Sequence, residues 1–407
     1  IFIFLYGKMS SKLNLKEYIN RMKTVLIFYA SYGGGHLSAA KSIQNYFLEN
    51  YPAIETEMID CMKYISKTLE KLTTGAYREM AKKAPKLWGK VYSGSEQLLL
   101  DLGFHQLRVR IHGTIARIEV LPDEFPKLIE EKNPDYIIST HPFSSQMVSF
   151  LKKKGLLHCK LATIMTDFAM HKQWLIGHEY TNLFFVSNEH MKDSLLKHNI
   201  PSSKIYVTGI PFSNRFLQTF DKDKIFEMFN LDKTKKVALM FGGGEFGLGK
   251  DRTVQVLRDL ITVANNYQII AIAGKNEKMK LAFEEVATNM GVESRVRVLP
   301  FTDKVPELMS IANVVVTKPG GLTTTESLVS GLPIIIINPL PGQEEENALF
   351  LEKSKVGIWI RKDDNPEVVL SQIFNSPDKL DEMKKNIKLL AKPNSTKQIC
   401  EIIVENL

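Results

Sequence analysis

Short apolar runs recur along the chain, each followed by a polar turn and then by a longer stretch of helical spacing. Thr24–Tyr29, Glu55–Ile59, Tyr136–Ser139, Leu161–Met165, Leu183–Val186 and the shorter Ile205–Gly209 predict strands, with helices at Ser38–Asn50 and Pro122–Glu131. Runs this short, rich in β-branched and aromatic residues and bounded by turn formers, suit strands buried on both faces. A charged stretch, Asp221–Lys236, interrupts the series, and Val237–Phe241 restarts it. Strands follow at Ile269–Ala273, Val296–Leu299, Val314–Thr317 and Ile334–Ile337, with helices at Asp251–Asn265 and Met279–Met290 and a last helical stretch at Leu380–Leu407. The βα repetition predicts an α/β fold with parallel, doubly wound sheets. The restart near residue 237 predicts two such domains, 22–212 and 213–407, facing a cleft, with the last helix free to pack back on the first. Residues 1–21 precede the first strand and are expected to be an upstream extension or a poorly ordered arm.

A length of 407 residues supports the two-domain expectation, since single cores rarely grow so large. No apolar run approaches the roughly 20 residues of a spanning helix, and Ile1–Tyr6 is too short for a signal segment. Cys61, Cys159 and Cys400 are far apart, fit no metal spacing, and read as reduced thiols of a cytosolic protein. The net charge of +8 changes the picture more, because it suits nucleic acid, phosphorylated ligands or an anionic membrane. It is concentrated between Lys63 and Arg117, where Lys82, Lys83 and Lys86 alternate with Tyr77, Trp88 and Tyr92. That mixture suits a segment lying on a membrane surface. The plainer alternative is two or three amphipathic helices with solvated lysines.

Chemistry gathers where predicted strands end. Val314–Glu326 reads V-V-V-T-K-P-G-G-L-T-T-T-E: a strand, a glycine turn and a helix opening at Leu322. Free backbone N–H groups and the positive end of the dipole favour phosphate there. Glu326, a turn into the helix, is in reach of a sugar's paired hydroxyls, and the next loop offers Gln343, Glu344, Glu346 and Asn347. A glycine pair alone is more often a mere turn; Glu326 and the polar loop, both at carboxyl ends of strands, favour a ligand. In Y-A-S-Y-G-G-G-H, three glycines precede His36, which stands just before a helix and can accept a proton if neutral. Capping or packing is the alternative for His36. Phe241–Lys250 is rich in glycine but is no P-loop, since Asp251 follows Lys250 where Ser or Thr is required. Asp167, after a buried strand, should point into the cleft, with His171 and Trp174 close behind; an N-cap and ordinary core packing are the alternatives. His141 ends another strand. Asp221-Lys222-Asp223 has the form of a metal motif but reads as solvated, and no convincing metal set exists elsewhere.

G-G-G-H-L-S-A-A, M-T-D-F-A-M-H-K-Q-W, V-T-G-I-P, F-G-G-G, A-G-K-N, T-K-P-G-G-L-T-T-T-E and P-G-Q-E-E-E-N-A occur in that order from about Met22 onward. In these segments the chain resembles the diacylglycerol glycosyltransferases, which include processive β-glucosyltransferases and monogalactosyldiacylglycerol synthases. The resemblance implies a GT-B fold, a UDP-sugar donor, inversion at the anomeric carbon, and no cofactor or metal at the diphosphate. It implies the 3-hydroxyl of diacylglycerol as acceptor and a peripheral place on an anionic membrane, and it leaves no role for nucleic acid. Carried over, His36 becomes the general base; Asp167, whose place after a strand would also let it orient or activate a base, lies near the acceptor. Gly320, Gly321, Leu322 and Thr323 hold the diphosphate, Glu326 the ribose, and Gln343 and Glu344 the sugar, with Asn347 nearby. Phe301 flanks the uracil through its backbone, and Gly35, Gly243 and Gly244 line the donor. His141, His171 and Trp174 lie near the acceptor, and Trp88, Lys82, Lys83 and Lys86 near the membrane. UDP-galactose as donor stays open. An undecaprenyl-linked acceptor fits the M-T-D-F segment poorly, and a UDP-sugar sensor need not retain both His36 and Asp167.

Overall fold

The computed structural model describes residues 23–31, 34–64, 106–111, 114–119, 124–243 and 249–407. The extension expected at 1–21, the membrane contacts Lys82, Lys83, Lys86 and Trp88, and Gly244 lie outside the described residues. Strands β1 (Lys23–Tyr29), β2 (Ile54–Asp60), β5 (Tyr136–Ser139), β6 (Lys160–Ile164), β7 (Leu183–Val186) and β8 (Ile205–Val207) form one parallel sheet, ordered β2-β1-β5-β6-β7-β8. Strands β9 (Lys236–Phe241), β10 (Tyr267–Gly274), β11 (Val296–Pro300), β12 (Val314–Thr317), β13 (Ile334–Ile336) and β14 (Gly357–Trp359) form a second, ordered β11-β10-β9-β12-β13-β14. Helices cover both faces of such a sheet, so both faces must be apolar. Val25 and Ile27 accordingly enter one core and Leu26 and Phe28 the opposite one.

Strand order reverses between β1 and β5 in the first sheet and between β9 and β12 in the second. Loops leaving neighbouring strands diverge at such a switch point and open a crevice beyond the carboxyl ends. The protein therefore has two crevices.

The chain passes between the sheets twice, near Gly209–Phe212 and Lys392–Thr396. Gly209 has φ +90°, and a Cβ there would lie 2.6 Å from Lys392 Cβ. The Ser395 hydroxyl donates to the Ile210 carbonyl at 2.8 Å. The Phe212 N–H donates to Thr396 Oγ1 at 3.1 Å, and the Thr396 hydroxyl donates to the Phe212 carbonyl at 2.9 Å. The Ser395–Glu405 helix then delivers Ile399, Cys400 and Ile403 to the core containing Val25 and Ile27.

Several elements differ from expectation. The helical stretch at Leu380–Leu407 is two helices, Pro377–Leu390 and Ser395–Glu405, because Pro393 can neither donate nor let Lys392 stay helical. Asp221 caps the Lys222–Met228 helix by accepting from the Lys224 N–H at 3.3 Å, and Ile225 is buried beneath it. Within the basic stretch, β3 (Gln106–Ile111) and β4 (Thr114–Glu119) pair antiparallel, with Arg108 opposite Arg117. Q-L-R-V-R-I alternates with a period of two, a strand signal that the alternative of amphipathic helices overlooks.

Candidate active site

At the first switch point, His36 lies in the first turn of the Gly34–Asn50 helix rather than before it. Its Nδ1 is 2.8 Å from the Thr140 carbonyl, just past β5, and 3.1 Å from Thr166 Oγ1, just past β6. A carbonyl only accepts, so Nδ1 carries the proton and Nε2 of the neutral ring keeps its lone pair. Burial holds His36 below its ordinary range, against the opposing pull of the Thr140 carbonyl and the Asp167 charge. His141 caps the Pro142–Lys153 helix: the Phe143 N–H donates to its Nδ1 at 3.1 Å. Its ring stands edge-on to that of His36, with centroids 4.4 Å apart. Burial, and then the charge of His36, keep His141 well below the usual imidazole range.

Asp167 is fully buried. Its Oδ2 accepts from Trp174 Nε1 at 2.9 Å and lies 3.2 Å from His171 Nε2, and its Oδ1 accepts from the Gln343 amide of the other half. Burial alone would raise its pKa; His171, Gln343 and Trp174 more than offset that and hold the carboxyl below its usual range. Asp167 makes no hydrogen bond to His36, so it does not orient the base directly. Trp174 is 2% exposed, packed with Met165, Phe184 and Val186, and is not a surface for an acceptor.

At the second switch point, Gly320 caps the Gly321–Val329 helix. A Cβ on Gly321 would lie 1.9 Å from the Thr166 carbonyl oxygen, and one on Gly35 would lie 3.6 Å from Leu322 Cδ2. Two helix N-termini, one bearing His36 and one bearing Gly321–Thr323, therefore meet across the cleft. The Thr323 hydroxyl has no partner among the described residues. Glu326 is partly exposed, also without a partner among the described residues, and burial pushes its pKa up to about 8.

Gln343 and Glu344 lie not in a loop but in the first turn of the Gln343–Lys353 helix, where the acids Glu344, Glu345 and Glu346 complement the dipole. Glu344 accepts from the Leu340 N–H at 2.6 Å; burial raises its pKa while the Lys318 cation pulls it down. Asn347 is fully buried and not open to a sugar. Its Oδ1 accepts from the Phe168 and Ala169 N–H groups at 2.8 and 3.0 Å, and its Nδ2 donates to the Pro319 carbonyl at 3.1 Å. It clamps the two halves. Phe301 stands 64% exposed beyond β11, with Lys275 Nζ 5.6 Å from its ring centre. Gly243 has φ +93°, and a Cβ there would lie 3.7 Å from Lys318 Cε. Sequence reasoning passes over Thr166 and Lys318 as site residues; the available signal is that each directly follows a predicted strand. No group of three or more His, Cys, Asp or Glu among the described residues is arranged to hold a metal ion.

A family model for monogalactosyldiacylglycerol (MGDG) synthase matches residues 36–212, and one for the glycosyltransferase family 28 C-terminal domain matches residues 243–399. Both halves of the chain thus match glycosyltransferase families, and along its length the chain is similar to diacylglycerol glycosyltransferases. The processive diacylglycerol β-glucosyltransferase of Bacillus licheniformis is 28% identical over 387 residues, 95% of this chain and 96% of the relative. The protein of the same description from Staphylococcus saprophyticus is 28% identical over 397 residues, 96% and 94% of the two chains. Among solved structures, MurG of Acinetobacter baumannii superposes with a TM-score of 0.59 at 15% identity, covering 94% of this chain and 99% of that one. UDP-GlcNAc 2-epimerase from Neisseria meningitidis, bound to UDP-GlcNAc, gives 0.57 at 14% identity, covering 94% and 100%. The fold of this glycosyltransferase is GT-B, two doubly wound domains with their strand ends facing one another.

Proposed function

We propose that this protein transfers glucose from UDP-glucose to the 3-hydroxyl of 1,2-diacylglycerol at a membrane surface, with inversion at the anomeric carbon. The observation that carries the proposal is the free Nε2 of His36, held by Thr140 directly across the cleft from the Gly321–Val329 helix N-terminus. The relatives' diacylglycerol and glucosyl descriptions supply the acceptor and the donor.

The step balances without a cofactor. The acceptor oxygen bonds to the anomeric carbon from the face opposite the diphosphate, and its proton passes to His36 Nε2. The bond from the anomeric carbon to the β-phosphate oxygen breaks, and UDP leaves with the electron pair. The helix N–H groups and the Thr323 hydroxyl meet the charge that develops on the diphosphate, so the proposal includes metal independence. Glu326 takes the ribose hydroxyls, and Gln343 and Glu344 the sugar. The charge of +8 favours an anionic membrane over a neutral one. No described helix is long and apolar enough to cross a membrane.

The test is product formation from diacylglycerol in anionic vesicles, with UDP-glucose and UDP-galactose supplied separately and EDTA present. A glucolipid with UDP release supports the proposal. A galactolipid instead corrects the donor, which the description of the family model over residues 36–212 favours. UDP binding without product from either donor overturns the acceptor assignment.

A further inference from the structure

Lys318 is a cation at the second switch point. It stands on the turn between β12 and the Gly321–Val329 helix, half-buried, at the positive end of the helix dipole. Helix starts attract acids and repel cations, so this position costs free energy unless an anion joins it. Its ammonium makes no hydrogen bond or close ion pair among the described residues. Glu344 is a counter-charge acting on it without a close ion pair, and burial favours the neutral form of that acid. On the other side is Gly243, whose φ of +93° and missing side chain leave room for the lysine stem, 3.7 Å from where a Cβ would be. The lysine thus bridges the two strands, β9 and β12, that flank the second switch point. The lysine and the start of the Gly321–Val329 helix both bring positive charge to the same crevice.

We propose that Lys318 is a catalytic residue whose ammonium contacts the β-phosphate of the nucleotide donor and neutralises the charge that builds there as the sugar departs. This rests on the donor-site reading given above. When the bond from the anomeric carbon to the β-phosphate oxygen breaks, the electron pair stays on that oxygen, and the diphosphate becomes more negative than in the bound donor. An ammonium fixed in a site of low dielectric therefore binds the transition state more strongly than the substrate and raises kcat. The helix dipole spreads its effect over several N–H groups, whereas the lysine places a full unit of charge at the leaving group.

The experiment compares wild type with K318M and K318R. Affinities for UDP, UMP and uridine are measured by calorimetry, and kcat and KM by UDP release. The expected result is that K318M weakens UDP about 10- to 100-fold while UMP and uridine, which lack the β-phosphate, change by less than about threefold. The expected fall in kcat is about 100-fold or more, and K318R restores part of both. An equal loss of UDP and uridine affinity in K318M overturns the proposal, because it reports a damaged site rather than a lost phosphate contact. Unchanged UDP affinity and kcat overturn it as well. Should K318M not fold, K318R and K318Q give the same ratio of UDP to UMP affinity, and a ratio equal to that of wild type in both is decisive against it. Wild-type protein that binds no UDP removes the donor-site reading and the proposal together, an outcome visible before any variant is made.

Discussion

Gln343 donates its side-chain amide to the buried carboxylate of Asp167, tying the two halves of the protein together inside the cleft. Trp174 and His171 hold the other carboxylate oxygen. In D167N an NH2 group replaces one acceptor and faces donors. Charged hydrogen bonds of this kind contribute about 1.5–3 kcal/mol each, so D167N should lower the thermal midpoint and raise the donor KM. The folded pKa of Asp167 lies below its unfolded value, so this stabilisation is present above the unfolded pKa, about 3.9, and is lost as pH falls through the folded pKa. Melting curves across pH 3–7, together with donor kinetics, check the prediction (the range is set by that reference value of about 3.9). A D167N protein with wild-type midpoint and KM removes the link.

His36 should work as a base without first losing a proton at neutral pH. Its pKa is held below the ordinary value of about 6.5, chiefly by burial, so the acid limb of the kcat profile should lie below that value. H36A should lower kcat by about 10²- to 10⁴-fold while UDP affinity survives. Steady-state profiles and UDP calorimetry check both statements, and an acid limb above pH 7 (about half a unit past the reference value) contradicts the first.

Burial pushes the pKa of Glu326 up to about 8. If ribose hydroxyls donate to its carboxylate, UDP binding at neutral pH should release close to one proton, read as a binding enthalpy that varies with the buffer. E326Q should abolish that dependence and weaken UDP. The raised pKa has a second consequence: the folded protein binds more protons than the unfolded chain from about pH 4.3 up to about 8, so stability falls as pH rises through this window. E326Q should flatten that fall. Identical pH-dependent melting of E326Q and wild type counts against the assignment.

Gly320 and Gly321 should differ sharply despite being neighbours. An added Cβ at Gly321 meets the Thr166 backbone oxygen at 1.9 Å, whereas at Gly320 the nearest atom is Glu344 Oε1 at 3.9 Å. Backbone cannot yield as a flexible side chain does. G321A should therefore separate the helix from the first domain, with about 1–3 kcal/mol of destabilisation and loss of activity, and G320A should fold like wild type. Chemical denaturation of the two variants decides the matter.

The strands other than β14 are legible as short runs rich in apolar and β-branched residues, whereas β14, three residues long at a sheet edge, is too short a run to signal a strand; the switch-point loops are legible because glycines and acids cluster where those runs end. Trp174 and Asn347 were misread for one reason. Their residue types announce hydrogen-bonding capacity, but not that it is spent on partners elsewhere in the fold, such as the Phe168 N–H, 179 positions from Asn347. The tautomer of His36 depends on Thr140, 104 positions away, and no local pattern signals that pairing. The Gln343–Lys353 helix escaped because a run of acids reads as a loop until the dipole it serves is in place.

The helix that returns from the second half to the first has a cost in time. Cys400 lies against the Ile43 carbonyl, 357 positions earlier in the chain. At about 5–20 residues per second, a ribosome takes about 20–70 s to make the residues between them. Throughout that interval the face carrying Val25 and Ile27 lacks the side chains that cover it in the finished protein. The first sheet is made early but completed last, so the nascent chain carries an open apolar surface until the second sheet has been synthesised.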